Sequence, residues 1–277
     1  MILVTGATGN IGSALLKELR ASHAEPLRGL SRAPEKAGVP SGVEVVEGDL
    51  SRPASLEPAF EGVRALFLVS RIGLDADILD AARRAGVEHV VLVSSVTVQT
   101  HPHLGPAREN LAVERLLKGS GMAWTILRPT QFASNALWWA QTIRNRRPVR
   151  VPYADVGLPT VHPADIASVA RAALAGTGHL GQTYALTGPE RITTRQQLEA
   201  LAQAVGRDVP FTRVGRAEAH RDMAAFLGDE AAAAVLDITG GDVNEELLAV
   251  RDTVTRITGA PARTFRQWAL DNVGAFS

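Results

Sequence analysis

The sequence contains no cysteine. That removes disulfides, thiolate nucleophiles and cysteine-ligated metals together, and it fits a reducing cytoplasm. Tyrosine is nearly missing as well: Tyr153 and Tyr184 are the only two. Neither sign of charge is in excess, because 29 lysines and arginines face 29 aspartates and glutamates. No sequence-wide field therefore draws the chain to nucleic acid or to an anionic membrane. Long apolar runs are lacking too, since Arg, Asp or Gly interrupts each one before the roughly 20 residues needed to cross a bilayer. The N-terminus reads straight into a strand with no charged stretch ahead of an apolar one, so no secretory signal is expected.

What is present begins at once with ILVTGATGNIGSALLKEL. A short β-branched apolar run suits a strand buried on both faces of a parallel sheet. Gly6, Gly9 and Gly12 follow, and after them Ile11, Leu15, Leu16 and Leu19 recur at helical spacing. In the order strand, glycine turn, helix, the first glycine permits a tight turn and the second lets backbone approach a pyrophosphate. The third lets helix and strand pack closely, and the helix N-terminus offers free N–H groups to phosphates. About 20 residues on, an acidic residue would hold the ribose hydroxyls of NAD. Ser31 and Arg32 stand there instead, with no carboxylate, so the expected cofactor is NADP(H).

Further strands are expected at Val43–Glu47, Ala65–Ser70, His89–Ser95 and Trp124–Pro129. Helices alternate with them at about Pro53–Phe60, Leu74–Gly86 and Arg108–Gly119. Such alternation specifies an α/β fold, a Rossmann doubly wound parallel sheet with right-handed crossovers. Beyond Pro129 the reading is a helix to about Arg144, a short hairpin around Asp155 to Gly157, and a helix from Pro163 at whose start Asp165 caps or pairs locally. Residues 1–150 are expected to form the NADP-binding domain, with 158–178 returning to it, and 151–277 a smaller, discontinuous, mostly helical lid.

The chain resembles the NmrA-like, atypical branch of the short-chain dehydrogenase/reductases over nearly its full length. The resemblance rests on TGATGNIG, GDL, DAARRAGVEHVVLVSS, VERLLKGSGMAWTILRPTQFASN, HPADIA, YALTGPE and TFRQWALDN. The layout is most similar to that of the NADPH-dependent quinone and triphenylmethane reductases. The resemblance implies Gly6, Thr8, Gly9, Asn10, Ile11 and Gly12 at the pyrophosphate, Arg32 at the 2′-phosphate, and Asp49 with Leu50 beside the adenine. It also implies Ser70 and Arg71 at the nicotinamide end, and Ser94 and Ser95 where the superfamily keeps an active-site hydroxyl, with Thr97 close by.

The sequence departs from that pattern at the catalytic dyad. A typical member carries Tyr-xxx-Lys early in the helix before WTILRP, so that lysine and the cofactor's charge poise the tyrosine as an acid. Here those positions hold Pro106 and Asn110. His101, in QTHPHLGP, is an alternative acid or an ordinary loop residue. His101 and His103 lack a third ligand, so no metal is expected. Trp138 or Trp139 can stack an aromatic substrate, though only one of the pair can face inward on a helix. Phe132, Asn135 and His162 fall on family positions that border the cleft. The expected pocket is therefore walled by Thr97, His101, Phe132, Asn135, Trp138 and His162. RNRRPVR reads as a solvated loop.

Two functions follow. The first is an NADPH-dependent reductase of a small planar conjugated or aromatic acceptor that works without the dyad. The second is a non-catalytic NADP(H)-binding sensor acting through a protein partner, as the resemblance allows. The sequence leaves a homodimer open.

Overall fold

The computed structural model describes residues 1–22 and 25–277. Its first half alternates as the apolar pattern dictates. The elements are β1 (Ile2–Val4), α1 (Asn10–Ser22), β2 (Leu27–Ser31), β3 (Glu44–Glu47), α2 (Glu57–Phe60), β4 (Ala65–Val69), α3 (Asp75–Arg84), β5 (His89–Val93), α4 (Thr97–Thr100), α5 (Gly105–Gly119) and β6 (Ala123–Pro129). These strands join a seven-stranded sheet whose order is β3-β2-β1-β4-β5-β6, closed by a seventh strand at Gln182–Leu186. Every pairing in it is parallel. The strand pattern has a physical consequence. Ile2 and Val4 point to a core shared with Leu15, Leu16 and Leu19 of α1, while Leu3 between them points to the opposite core with Ile78 and Leu117. Both faces of each central strand are thus covered, as parallel sheets require.

The second half is woven through the first. It continues as α6 (Ala140–Arg144), β7 (Val149–Val151), β8 (Gly157–Leu158), α7 (Pro163–Ala175), β9 (Gln182–Leu186), β10 (Ile192–Thr193), α8 (Thr194–Val205), β11 (Phe211–Arg213), α9 (Arg216–Leu227), α10 (Asp229–Leu236), α11 (Glu245–Leu248), α12 (Thr253–Thr258) and α13 (Phe265–Asp271). Helix α7 packs Ile166, Val169, Ala170 and Ala173 into the core of β1 and α1. A separate core of Ile143, Val149, Leu198, Leu201, Phe265 and Trp268 gathers elements of this second half. Among the described residues no helix is long and apolar enough to cross a membrane.

Three local expectations are corrected. No hairpin forms around Asp155 to Gly157, because β7 pairs in parallel with β11 and β8 pairs antiparallel with β10. The Asp155 carboxylate instead accepts from Arg195 at 3.0 and 2.8 Å and pairs with Arg213. Asp165 neither caps nor pairs locally: it accepts from the backbone N–H of Arg263 at 2.7 Å and from that residue's guanidinium at 2.5 Å. The cap of α7 is His162, whose Nδ1 accepts from the Ala164 N–H at 3.0 Å. The stretch after Phe132 is a tight 3₁₀ turn over Ala133–Trp139 before it relaxes into α6.

Candidate functional site

The glycine turn is shaped by three contacts. Gly6 lies in the left-handed region at φ 61°, and the Gly9 N–H donates to its carbonyl at 2.8 Å. A Cβ on Gly12 would stand 2.2 Å from the Gly6 oxygen, and one on Gly9 would stand 3.2 Å from it. The start of α1 therefore lies directly against the turn, and only hydrogen fits between them. Thr8, Gly9 and Asn10 are exposed at its tip, whereas Ile11 points into the core, so only its backbone faces a ligand. These residues fit a dinucleotide: a bare, concave backbone ends in the unpaired N–H groups of a 13-residue helix.

At the end of β2, Arg32 is exposed and makes no ion pair among the described residues. The Ser31 hydroxyl accepts from the Ala33 N–H at 3.2 Å. Asp49 is held below the usual carboxylate range by hydrogen bonds from the Ser51 N–H and hydroxyl, with smaller help from Arg52 and Arg32. Leu50 packs its backbone against Gly73, where a Cβ would lie 2.5 Å from the Leu50 oxygen.

Beyond the carboxyl ends of β4, β5 and β6 opens a cleft of about 520 Å³, floored by the sheet and roofed by α9 and α10. This is where ligands sit in such folds. Its floor carries a polar row. The Ser70 hydroxyl lies 2.6 Å from Asn110 Oδ1 and 2.9 Å from the Val93 carbonyl, and the Asn110 amide donates to the Pro106 carbonyl at 2.9 Å. Pro106 and Asn110 both line the cleft. The two positions of the dyad thus face the cleft but hold neither acid nor amine. Ser95 accepts from the Thr97 hydroxyl at 2.8 Å. Ser94 donates at 2.6 Å to Glu114, which is fully buried and clasped by Arg128 at 2.9 and 2.6 Å. Arg71 adopts φ 63°, and its N–H donates to Asp75 at 2.7 Å while its guanidinium pairs with Glu109 at 2.5 Å.

Of the six side chains expected as walls, Thr97, Phe132, Asn135 and Trp138 line the cleft. His101 and His162 do not. His101 is 1% exposed, with Nδ1 on Thr100 Oγ1 at 2.8 Å and Nε2 on the Asp242 carbonyl at 2.6 Å, so its ring ties two loops together. His162 is occupied as a cap, and burial, with Arg263 nearby, lowers its imidazole to about 4. The Asn135 amide donates to Gln131 at 2.9 Å. Trp138 is 52% exposed and meets Phe226 edge to face at 6.3 Å, while Trp139 packs against the second-half core; on the 3₁₀ turn both line the cleft, not one alone. Tyr153, which is not among the side chains expected from the sequence, also lines the cleft. No cluster of metal-binding side chains occurs among the described residues.

A parallel sheet ordered 3-2-1-4-5-6, a glycine turn at its first strand and a cleft at its carboxyl edge define a Rossmann-type dinucleotide-binding protein. The chain belongs to the NAD(P)H-binding family, whose model matches residues 6–176. It is 39% identical to the (4-alkanoyl-5-oxo-2,5-dihydrofuran-3-yl)methyl phosphate reductase of Streptomyces griseus, over 100% of this chain and 99% of that one. It is 32% identical to the NAD(P)H azoreductase of Xenophilus azovorans, with the same coverage. Among solved structures, the NADPH complex of a quinone oxidoreductase from Escherichia coli superposes with a TM-score of 0.79 at 26% identity, covering 97% of this chain and 98% of that one. The triphenylmethane reductase of Citrobacter sp. shares the fold, with a TM-score of 0.80 at 23% identity over 99% and 100% of the two chains. Full-length similarity to named reductases makes the protein a reductase of this NAD(P)H-binding family.

Proposed function

We propose that the cleft takes a small, planar, conjugated acceptor such as a quinone or an enone and reduces it without a Tyr-xxx-Lys relay. The observation that carries this reading is the pair Pro106 and Asn110 on the cleft wall, which offer neither the phenol nor the amine of such a relay. A bound NADPH supplies hydride, and a conjugated acceptor spreads the resulting charge over its own π-system. Similarity to reductases of a dihydrofuranone bearing an alkanoyl group and of azo dyes supports such acceptors, since these compounds are flat and conjugated. The lining agrees: it is mostly apolar, with a few convergent polar groups from Ser70, Thr97, Asn110 and Asn135.

In this reading Gly6, Thr8, Gly9, Asn10, Ile11 and Gly12 hold the pyrophosphate by their backbone. Ser31 and Arg32 take the 2′-phosphate, and Asp49 with Leu50 borders the adenine. Ser70, Arg71, Ser94 and Ser95 shape the nicotinamide end, while Phe132, Asn135 and Trp138 border the substrate. Residues 1–150 with 158–178 form the cofactor domain, and the rest forms the lid.

The test is loss of NADPH absorbance on mixing with a panel of quinones, enones and azo dyes. Turnover of at least one class is expected. Inertness toward the whole panel, with a protein partner released by one redox form of the cofactor, would establish a sensor instead.

A further inference from the structure

Reduction of a conjugated carbonyl leaves an oxyanion that must be protonated, and the dyad that would do it is missing. Among the described residues the cleft lining contains no Asp, Glu, His or Lys. Its arginines do not release protons in proteins, and aliphatic hydroxyls are far too weak as acids. Among the described lining residues Tyr153 alone carries a phenolic hydroxyl, a donor better suited to the step than an aliphatic one.

Its surroundings are built around the phenol. Arg216, the first residue of α9, donates from Nη1 to the Tyr153 oxygen at 3.2 Å and is itself anchored through Nη2 to Asp237 at 2.6 Å. Because that oxygen accepts from Arg216, its own hydrogen is free to point elsewhere, and it has no acceptor among the described residues. Two glycines make room for the pair. A Cβ on Gly240 would lie 2.3 Å from Tyr153 Cγ, and one on Gly241 would lie 2.3 Å from Arg216 Nη1.

Resting on the reduction proposed above, we infer that Tyr153 donates the proton that completes reduction, with Arg216 as its positioning residue in the place lysine usually takes. The hydride that reduces the acceptor forms a new C–H bond and leaves the electron pair on the acceptor oxygen. The Tyr153 O–H bond then breaks as an O–H bond forms on that oxygen. Negative charge passes to the phenol oxygen beside the Arg216 guanidinium until water returns a proton. No other reagent is required.

The first arm needs no cofactor. Binding of menadione and of 2-methylnaphthalene, which has the flat rings but no oxygen, is followed by quenching of tryptophan emission, since Trp138 and Trp139 line the cleft. Tyr153→Phe is expected to weaken menadione by about three- to tenfold, the scale of one hydrogen bond, and to leave the hydrocarbon unchanged. In the second arm, with the best acceptor of the panel, Tyr153→Phe lowers kcat by about 100-fold, as loss of a general acid does, while NADPH binding stays constant. Arg216→Met lowers kcat with little change in KM, and Arg216→Lys restores most of it. If the wild type reduces an acceptor and Tyr153→Phe keeps kcat within about threefold, Tyr153 is not the donor and the reading of the cleft stands. If the wild type reduces nothing in the panel, both fall. Equal weakening of both probes also overturns the assignment, because it reports lost shape rather than a lost proton.

Discussion

The Ser70 hydroxyl and the Asn110 amide oxygen meet at 2.6 Å across the cleft floor, joining the end of β4 to the middle of α5 over 40 residues of chain. Asn110 is buried, and its amide donates to the Pro106 carbonyl at 2.9 Å. Asn110→Ala would leave Ser70 with only the Val93 carbonyl and remove the side-chain bond to the Pro106 carbonyl, which keeps its helical partner. The expected loss is about 1 to 2 kcal/mol of stability, from unmade buried hydrogen bonds. Urea unfolding at neutral pH reads it, and an unchanged midpoint would show that the pair contributes nothing.

Arg32 stands exposed at the end of β2, and among the described residues it makes no ion pair. Arg32→Ala is expected to weaken NADPH by about 1.5 to 3 kcal/mol, the scale of a charge-assisted hydrogen bond, and to leave NADH nearly unaffected. Calorimetric titration with both cofactors measures the difference. Equal or tighter binding of NADH by the wild type would contradict the role.

Gly12→Ala and Gly9→Ala should differ, although both add one methyl group to the same turn. At Gly12 the methyl meets backbone at 2.2 Å, which no rotamer relieves, while at Gly9 the approach of 3.2 Å asks for a shift of tenths of an ångström. The expected cost is about 1 to 3 kcal/mol for Gly12→Ala, as for overpacking elsewhere, and clearly less for Gly9→Ala. Thermal melts without cofactor separate the two, and similar melting temperatures would show that the turn yields more easily than its geometry implies.

Acid sensitivity should come from two buried imidazoles. His162 and His89 are each lowered by burial from 6.5 to about 4. The unfolded chain then takes up protons that the folded chain refuses. Their contribution is complete above pH 6.5 and is lost as pH falls from 6.5 toward 4, at about 1.4 kcal/mol per unit for each group. Asp75 and Asp165, raised by burial, work in the opposite sense. His162→Asn keeps a side-chain oxygen for the cap of α7 and removes one titration. Its denaturation midpoint should therefore fall less steeply between pH 6.5 and 5 than that of the wild type. Parallel slopes would mean that His162 is protonated without cost.

The sheet was legible because its signals are local. Each strand carries its burial in its own residues, and the turn announces itself by three glycines between a strand and a helix. The lid was not, since its contacts join distant positions. The partner of Asp165 lies 98 residues on, and the carbonyl that occupies His101 lies 141 residues on. Neither spacing has a period to read. The short strands β7 and β8 could be seen as strands, but with two or three residues each their partners are chosen by packing rather than by a turn. Phe132, Asn135 and Trp138 follow β6 directly, so the sheet's own geometry delivers them to the cleft. Tyr153 reaches it by a path that only the folded lid defines.

The course of the chain constrains how the molecule is made. It leaves the sheet after β6, lays down β7 and β8, returns to add α7 and β9, and leaves again for the remaining helices. The outer strand β9 docks only once some 50 residues of intervening chain have been placed, a loop closure of high entropic cost. Neither half can be finished before the other. Unfolding should therefore be a single cooperative event, and a cut anywhere between β6 and β9 should leave two fragments that complement each other but do not fold alone.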